Sequence, residues 1–226
     1  MLEGIVLDFD GVIADSEPLH FRTFREVLSA ERIDLTEADY YARYLGFSDA
    51  DAFRMIGRAA GRPWSDELVA TLIARKAARL EELERDTSVL FPGAERFIHD
   101  ASALVPLAIA SGALRAEIVR VLNGAGLTRY FTAIVAADDV AASKPAPEPY
   151  MQAVSLLSAA SRCPIAPASC VAIEDSHWGI ESARAAGLRT VAVTHSYDAA
   201  ALGAADLIVS SLGALSVTEL RRLVSD

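Results

Sequence analysis

Two carboxylates stand two residues apart directly after an apolar run near the start of the sequence. Asp8 and Asp10 follow this run, and Gly11 comes next. The run is typical of a buried strand, and an unpaired charge in a protein core is very costly. Strand alternation directs both side chains the same way, and glycine allows a sharp turn beyond them. The pattern therefore favours a divalent metal held by oxygen ligands over an Asx turn that merely closes the strand.

Polar side chains follow two later apolar segments in the same way, and a lone lysine lies between them. These residues are Ser111 and Gly112 after residues 106–110, Glu174 and Asp175 after residues 169–173, and Lys144 in a proline-rich loop. Taken singly, Ser111 could cap a helix, Lys144 could be a solvated loop lysine, and the acids could face a helix N-terminus. All three ordinary readings would have to hold at one end of one sheet. Together the residues instead indicate a site for magnesium and a phosphoryl group.

Short apolar segments alternate with helical segments after Pro92 and Gly93, which is typical of a parallel sheet covered on both faces. The expected strands are near 4–9, 106–110, 133–136, 169–173, 189–193 and 206–209, and the expected helices are near 94–104, 115–125, 147–160, 177–186 and 213–224. Residues 18–85 read as mainly helical, with Ser65 beginning one helix. We therefore expect an α/β core formed by residues 1–15 and 90–226, with a helical domain inserted at residues 16–89. Ligands in such sheets bind beyond the carboxyl ends of the strands, where the acids fall.

The composition excludes several classes of protein. The chain has 226 residues, 52% of them hydrophobic, and a mean hydropathy of +0.27, which predicts a well-buried globular protein. No apolar run approaches the roughly 20 residues that span a bilayer, so we expect no membrane partner. A net charge of −10 argues against a nucleic-acid partner but allows a small anionic substrate beside a metal. Two thiols without metal or redox spacing, and no visible secretory signal, predict a cytoplasmic location.

The ordered motifs resemble those of the haloacid dehalogenase-like superfamily. The matching segments are Asp8-Phe9-Asp10-Gly11-Val12, Asp15-Ser16-Glu17-Pro18-Leu19-His20, Ser111, Ser143-Lys144-Pro145-Ala146-Pro147 and Ile173-Glu174-Asp175-Ser176-His177-Trp178-Gly179-Ile180. They are similar to the branch that contains β-phosphoglucomutase, phosphoglycolate phosphatase and many small sugar-phosphate phosphatases. The resemblance covers nearly the whole chain. It implies a Rossmann-like core with an inserted α-helical cap.

The resemblance also implies a role for each residue. Asp8 would be the nucleophile that forms an aspartyl phosphate, and Asp10 the general acid and base. Mg²⁺ would be held by Asp8, the Asp10 backbone carbonyl and Asp175, with Glu174 bound directly or through water. The groups that would hold the phosphoryl oxygens are Ser111, with the neighbouring Gly112 backbone, and Lys144.

The insert is expected to select the substrate. Lys76 interrupts an apolar stripe and resembles a substrate-contacting cap lysine of β-phosphoglucomutase, although a lysine that snorkels to solvent fits equally well. His20 matches a hinge histidine of that branch, and as a lone polar residue it could be structural. The segment Gly46–Asp49 resembles the substrate loop of the cap. The mutase has an arginine where this chain has Asp49, and a carboxylate would repel the second phosphate that a mutase must hold.

The leading interpretation is a Mg²⁺-dependent phosphatase for a small phosphorylated metabolite, in particular a sugar phosphate. A sugar phosphomutase of the β-phosphoglucomutase type is the alternative, and the two differ in whether water or a substrate hydroxyl accepts the phosphoryl group. A dehalogenase is disfavoured because that branch lacks the second aspartate of the first motif. A non-enzymatic binding protein is also disfavoured. It would be free to lose Asp10, whereas every expected catalytic group is present in this sequence. The sequence identifies neither the metabolite nor the oligomeric state.

Overall fold

The chain folds into two compact units. The computed structural model describes residues 1–45, 47–86, 89–161 and 163–225. One unit is formed by Met1–Asp15 and Val89–Asp226, and the other by Ser16–Ser88. The first boundary, after Asp15, lies where the sequence analysis placed it, and the second lies one residue earlier, at Val89. Val89 belongs with the first unit because its carbonyl oxygen accepts a hydrogen bond of 2.6 Å from the Asp15 N–H.

The first unit is built on a parallel sheet. The strands described are β1 (Gly4–Leu7), β2 (Leu107–Ala110), β3 (Phe131–Val135), β4 (Cys170–Glu174), β5 (Arg189–Val193) and β6 (Leu207–Val209). They lie in the order β3-β2-β1-β4-β5-β6, and every neighbouring pair is parallel. β1 therefore lies between β2 and β4. Residues that follow these three strands meet at one edge of the sheet, as the sequence analysis required.

Helices cover the sheet on both faces. In the first unit the described helices are α5 (Ala94–Ser102), α6 (Arg115–Gly124), α7 (Glu148–Ser161), α8 (His177–Ala185) and α9 (Val217–Leu223). Every residue of β1, β2 and β4 is buried, so the alternating side chains of these strands are covered on each side. On one face Val6, Ala108 and Ala172 share a core with Tyr150 and Leu157 of α7. The predicted α/β, Rossmann-like class is confirmed.

The second unit is helical among its described residues. It contains α1 (Glu17–Ala30), α2 (Glu37–Arg43), α3 (Asp49–Ala59) and α4 (Asp66–Asp86). Ser65 begins α4 as predicted, because its hydroxyl accepts a hydrogen bond of 3.3 Å from the Leu68 N–H. The core of this unit is rich in aromatic rings, and Phe24 and Phe53 pack with centroids 4.8 Å apart. The insert thus has a core of its own.

Several element boundaries differ from the expected ones, most of them by one or two residues, and two of the differences have a visible cause. β3 begins at Phe131, earlier than predicted, because it pairs with β2 through an irregularity in the register between Leu107 and Ala108. The last helix begins at Val217, later than predicted, because Ser216 caps it and accepts a hydrogen bond from the Glu219 N–H. Within the described ranges, no helix combines the length and the apolar character that crossing a bilayer demands.

Candidate active site

A tight turn follows β1 and presents its two aspartates. β1 ends at Leu7, and the carbonyl oxygen of Phe9 accepts hydrogen bonds from the N–H groups of Ile13 (2.8 Å) and Ala14 (2.9 Å). Phe9 is buried, whereas its neighbours Asp8 and Asp10 lie at the carboxyl end of the sheet. Asp8 is buried as well and Asp10 is partly buried, so the turn carries one enclosed and one partly exposed carboxylate.

Lys144 places its ammonium between two buried carboxylates. Its Nζ lies 2.8 Å from Asp8 Oδ1 and 2.5 Å from Glu174 Oε1. The lysine side chain is only 12% exposed and that of Glu174 is fully buried, so this is not a solvated loop lysine. The ordinary reading of Lys144 is wrong. Lys144 therefore forms a buried ion pair with Asp8 as well as with Glu174.

Glu174 is held by more groups than the sequence analysis identified. The hydroxyl of Tyr150, which is fully buried in α7, donates to Oε1 of Glu174 at 2.7 Å. The other carboxylate oxygen accepts from the Ser176 hydroxyl at 3.1 Å and from the Asp175 N–H at 3.2 Å. The loop before α8 thus wraps around Glu174, while the Ser176 hydroxyl also caps that helix. A tyrosine in an apolar helix carries no sequence signal for this contact.

Asp175 faces the turn after β1. A side chain at Gly11, where φ is +75°, would overlap the Asp175 carboxylate. The glycine is therefore required both by its backbone conformation and by the close approach of the acid. Ser196, in the loop after β5, donates a hydrogen bond to Oδ2 of Asp175. Sequence reasoning did not find Ser196, because a serine in such a loop belongs to no motif.

The acids form a cluster with the geometry of a cation site. Asp8, Glu174 and Asp175 are buried, and each offers a carboxylate oxygen within 4.8 Å of the others. With all three carboxylates ionised beside one ammonium, the buried cluster would carry an excess negative charge of about two. Burying such an excess is costly, and a hard divalent cation with oxygen ligands would remove it. The donor set therefore fits a magnesium ion.

The pKa values of the cluster reflect the same imbalance. Burial, followed by the charge of Glu174, raises the pKa of Asp8 to about 7, although Lys144 opposes the rise. Burial and the charges of Asp8 and Glu174 raise the pKa of Asp175 to about 8, and the hydrogen bond from Ser196 opposes it. Burial disfavours the charged form of Lys144, but the two carboxylates hold its pKa above the ordinary range. The lysine is therefore a fixed positive charge at neutral pH.

Ser111 and Gly112 follow β2, the neighbour of β1. Ser111 is buried, and its hydroxyl accepts a hydrogen bond of 3.0 Å from the Ala113 N–H. Leu114 occupies the N-cap position of α6, so Ser111 is not the helix cap. A Cβ placed on Gly112 would meet no protein atom, so the space beside its backbone is open. The structure thus leaves room at this strand end, and a phosphate-binding role stays a prediction.

The three polar residues singled out in the insert form their own cluster. Lys76 is only 1% exposed, and its Nζ lies 2.5 Å from Asp49 Oδ1 and 2.9 Å from His20 Nδ1. The ammonium also lies 4.4 Å from the centroid of the Phe24 ring, a cation–π contact. Lys76 therefore does not snorkel to solvent. Of the predicted substrate loop, Ser48 caps α3, while Gly46 lies outside the described residues.

Loss of the Lys76 ammonium should destabilise the insert. Lys76→Ala would leave a cavity and remove the partner of Asp49, which is 32% exposed and can regain some water. We expect a loss of about 1–3 kcal/mol in the free energy of unfolding, below the full cost of breaking a buried pair. Arg75→Ala, at the position next to Lys76, is the control. It removes an exposed ion pair between Arg75 and Glu31 and should lower the free energy of unfolding by less than about 1 kcal/mol. Urea denaturation of both variants measures the difference, and equal losses would contradict a structural role for Lys76.

A family model described as haloacid dehalogenase-like hydrolase matches residues 5–193, most of the chain. The chain belongs to the haloacid dehalogenase-like hydrolases. The match spans β1 to β5 and includes Asp8, Lys144 and Asp175. This membership agrees with the resemblance found in the motifs and with the fold.

Similar proteins extend over nearly the same length as this hydrolase. It is 33% identical to protein CbbY of Rhodobacter capsulatus over 87% of each chain. It is 31% identical to the fructose-1-phosphate phosphatase YqaB of Escherichia coli strain K12, over 84% of this chain and 95% of that one. Among solved structures, CbbY from Rhodobacter sphaeroides in complex with phosphate superposes with a TM-score of 0.80 at 26% identity, covering 94% of this chain and 96% of that one. The fold is therefore shared with the solved CbbY structure, and nearly the full length is shared with all three proteins.

Proposed function

We propose that this hydrolase is a Mg²⁺-dependent phosphatase that acts on a small sugar phosphate through an aspartyl-phosphate intermediate. The observation that carries the proposal is the buried cluster of Asp8, Lys144, Glu174 and Asp175 at one edge of the sheet. The similarity to a fructose-1-phosphate phosphatase and to a protein solved with phosphate supports the same class of substrate.

Asp8 is the proposed nucleophile. Its buried carboxylate lies beyond the end of β1, with Oδ1 paired to the Lys144 ammonium at 2.8 Å, and would attack phosphorus in line. The attack would form an acyl phosphate on Asp8 and expel the sugar alkoxide. Lys144 opposes the rise in the Asp8 pKa that burial causes, and so favours the ionised form that attacks. The same ammonium, with the hydroxyl of Ser111, would bind oxygens of the phosphoryl group.

Asp10 is the proposed general acid and base. It is partly buried and lies two residues beyond the nucleophile in the tight turn after β1. In the first step it would protonate the leaving alkoxide, and in the second it would take a proton from the water that hydrolyses the intermediate. The turn held by the carbonyl oxygen of Phe9 sets the spacing between these two aspartates.

Asp8 and Asp175 would hold the metal, together with the backbone carbonyl of Asp10. Glu174 already accepts hydrogen bonds from Lys144, Tyr150 and Ser176, so its contact with the metal would run through water. When bound, Mg²⁺ supplies positive charge that offsets the repulsion between the phosphate and the carboxylate attacking it.

Hydrolysis is favoured over mutase chemistry by the charges of the insert. A mutase must hold a second phosphate while its bisphosphate intermediate turns over. Lys76, the only lysine of the insert, already has its charge balanced by Asp49 at 2.5 Å. This pair would not attract a second phosphate, and Asp49 stands where the mutase has an arginine. We therefore propose water as the acceptor of the phosphoryl group.

The two reactions are separated by their products. The enzyme would be incubated with β-glucose 1-phosphate, Mg²⁺ and a trace of glucose 1,6-bisphosphate, and a panel of sugar phosphates would be assayed beside it. We expect release of inorganic phosphate from members of the panel and no glucose 6-phosphate. Formation of glucose 6-phosphate without inorganic phosphate would favour the mutase.

Removal of the metal should abolish activity and lower stability. EDTA should reduce turnover to the background rate and Mg²⁺ should restore it, because the chemistry depends on charge at the acid cluster. Mg²⁺ alone should also raise the melting temperature, because it relieves repulsion among three buried carboxylates. Ca²⁺, which is larger, should give the thermal shift but little turnover. Full activity in EDTA would remove the metal from the mechanism.

A further inference from the structure

The loop after β5 makes two hydrogen bonds to the proposed site, one to the residue that follows β4 and one to the turn that follows β1. Ser196 Oγ donates a hydrogen bond to the carboxylate of Asp175 after β4. His195 Nδ1 lies 2.7 Å from the carbonyl oxygen of Gly11 in the turn after β1. A carbonyl oxygen only accepts, so Nδ1 carries the proton and donates it. One loop thus holds both the turn that carries the aspartates and a proposed metal ligand.

Both ends of the His195 contact are fixed. The imidazole stacks on Phe91, with ring centroids 3.8 Å apart and planes 16° apart. Phe91 is anchored in turn, since its N–H donates to the carbonyl oxygen of Ile13 at 3.0 Å. The backbone N–H of Gly11 is also held, because it donates a hydrogen bond of 2.9 Å to the carbonyl oxygen of Ala14. Gly11, the residue after Asp10, therefore has hydrogen bonds at both its backbone nitrogen and its backbone oxygen.

We infer that His195 and Ser196 are positioning residues for the proposed phosphatase reaction. Ser196 acts on Asp175, and His195 acts on Asp10 through the backbone of Gly11. The inference rests on the proposed function but concerns residues outside the proposed catalytic groups. Hydrogen-bond partners of metal ligands and catalytic groups fix their orientation, and their loss typically costs about 10–100-fold in metal affinity or activity. The end of β5 would then be a further contributor to the site, after the ends of β1, β2 and β4.

The contribution of Ser196 is measured without turnover. Ser196→Ala should raise the dissociation constant for Mg²⁺ by about 10-fold or more in calorimetric titration of the substrate-free protein. Ser196 is exposed, so the substitution leaves no cavity. Ser216→Ala is the matched control, because it removes another exposed hydroxyl that donates to a carboxylate, that of Glu219 at 2.7 Å. The control should bind Mg²⁺ like the unmodified protein, although it loses a helix cap.

The contribution of His195 is tested with two variants that each keep one of its contacts. His195→Phe keeps a ring to stack on Phe91 but has no donor, and His195→Asn keeps a donor near Nδ1 but loses the stack. We expect His195→Phe to lower kcat by about 10-fold or more with little change in KM, and His195→Asn to recover most of that loss.

The outcomes separate this inference from the proposed function. If the unmodified protein binds Mg²⁺ and releases phosphate while Ser196→Ala keeps its Mg²⁺ affinity, the role of Ser196 is refuted and the proposed function stands. Equal kcat values for the two His195 variants would refute the role of its hydrogen bond. An unmodified protein that neither binds Mg²⁺ nor releases phosphate overturns both. A weaker Mg²⁺ affinity confined to Ser196→Ala, with recovery by asparagine at His195, supports the positioning roles.

Discussion

Asp8→Asn should lower turnover by about four orders of magnitude or more, the scale of loss seen when a covalent nucleophile is removed. The amide keeps nearly the shape of the carboxylate, so the turn after β1 and the contact with Lys144 should persist. Its nitrogen and weakly basic oxygen cannot form the acyl phosphate. The measurement is phosphate release with Mg²⁺ and a good sugar phosphate, together with trapping of labelled phosphate on the protein.

Asp10→Asn is the matched comparison for that experiment. It changes a carboxylate in the same turn, but its proposed metal contact is a backbone carbonyl that the substitution keeps. We expect slower formation and slower hydrolysis of the covalent phosphate, with Mg²⁺ affinity largely intact. Covalent phosphate that forms on the Asp8→Asn protein as fast as on the unmodified one would show that the nucleophile lies elsewhere.

Lys144→Met should impair both catalysis and folding. The lysine lies 2.8 Å from Asp8 and 2.5 Å from Glu174, and methionine keeps most of the apolar stem without the charge. We expect kcat to fall by about 10²–10³-fold, as when a group that stabilises developing charge is lost. The free energy of unfolding in EDTA should fall by about 3 kcal/mol, because two buried carboxylates lose their cation.

Arg189→Met, in the same unit, is the control for the unfolding measurement on Lys144→Met. Arg189→Met removes a partly exposed ion pair with Asp206 that is 3.7 Å long, and the free energy of unfolding should fall by less than about 1 kcal/mol. Mg²⁺ should recover part of the loss in Lys144→Met but not in Arg189→Met, because only the first lies at the acid cluster. A Lys144→Met protein as stable as the unmodified one in EDTA would contradict the charge imbalance on which the metal site rests.

The acid cluster could be predicted from the sequence because the physics that forms it is local. Carboxylates directly after an apolar run mark the carboxyl end of a strand, and a parallel sheet brings such ends to one edge. Asp8, Glu174 and Asp175 meet for this reason, and Lys144 completes the cluster from the loop before α7. The α/β class followed from the same alternation of strands and helices.

The supporting groups could not be predicted, because no local pattern in the sequence marks their contacts. Tyr150 reads as one more apolar residue of α7 until the fold brings its hydroxyl to Glu174, 24 residues later. Lys76 interrupts an apolar stripe, a pattern shared by snorkelling and fully buried lysines, and its partner Asp49 is 27 residues away. No helical periodicity states which polar side chain will meet such a lysine.

The only two lysines in the sequence, Lys76 and Lys144, are both largely enclosed by protein, and every other long cationic side chain is an arginine. Among side chains, amine-directed reagents therefore have no target on the outside of either unit. Acylation of Lys144 would report local unfolding around the acid cluster, and acylation of Lys76 would report local unfolding of the helical insert. The rate of acylation at these two lysines, followed by mass spectrometry, would therefore measure how often the interior of each unit becomes accessible to solvent.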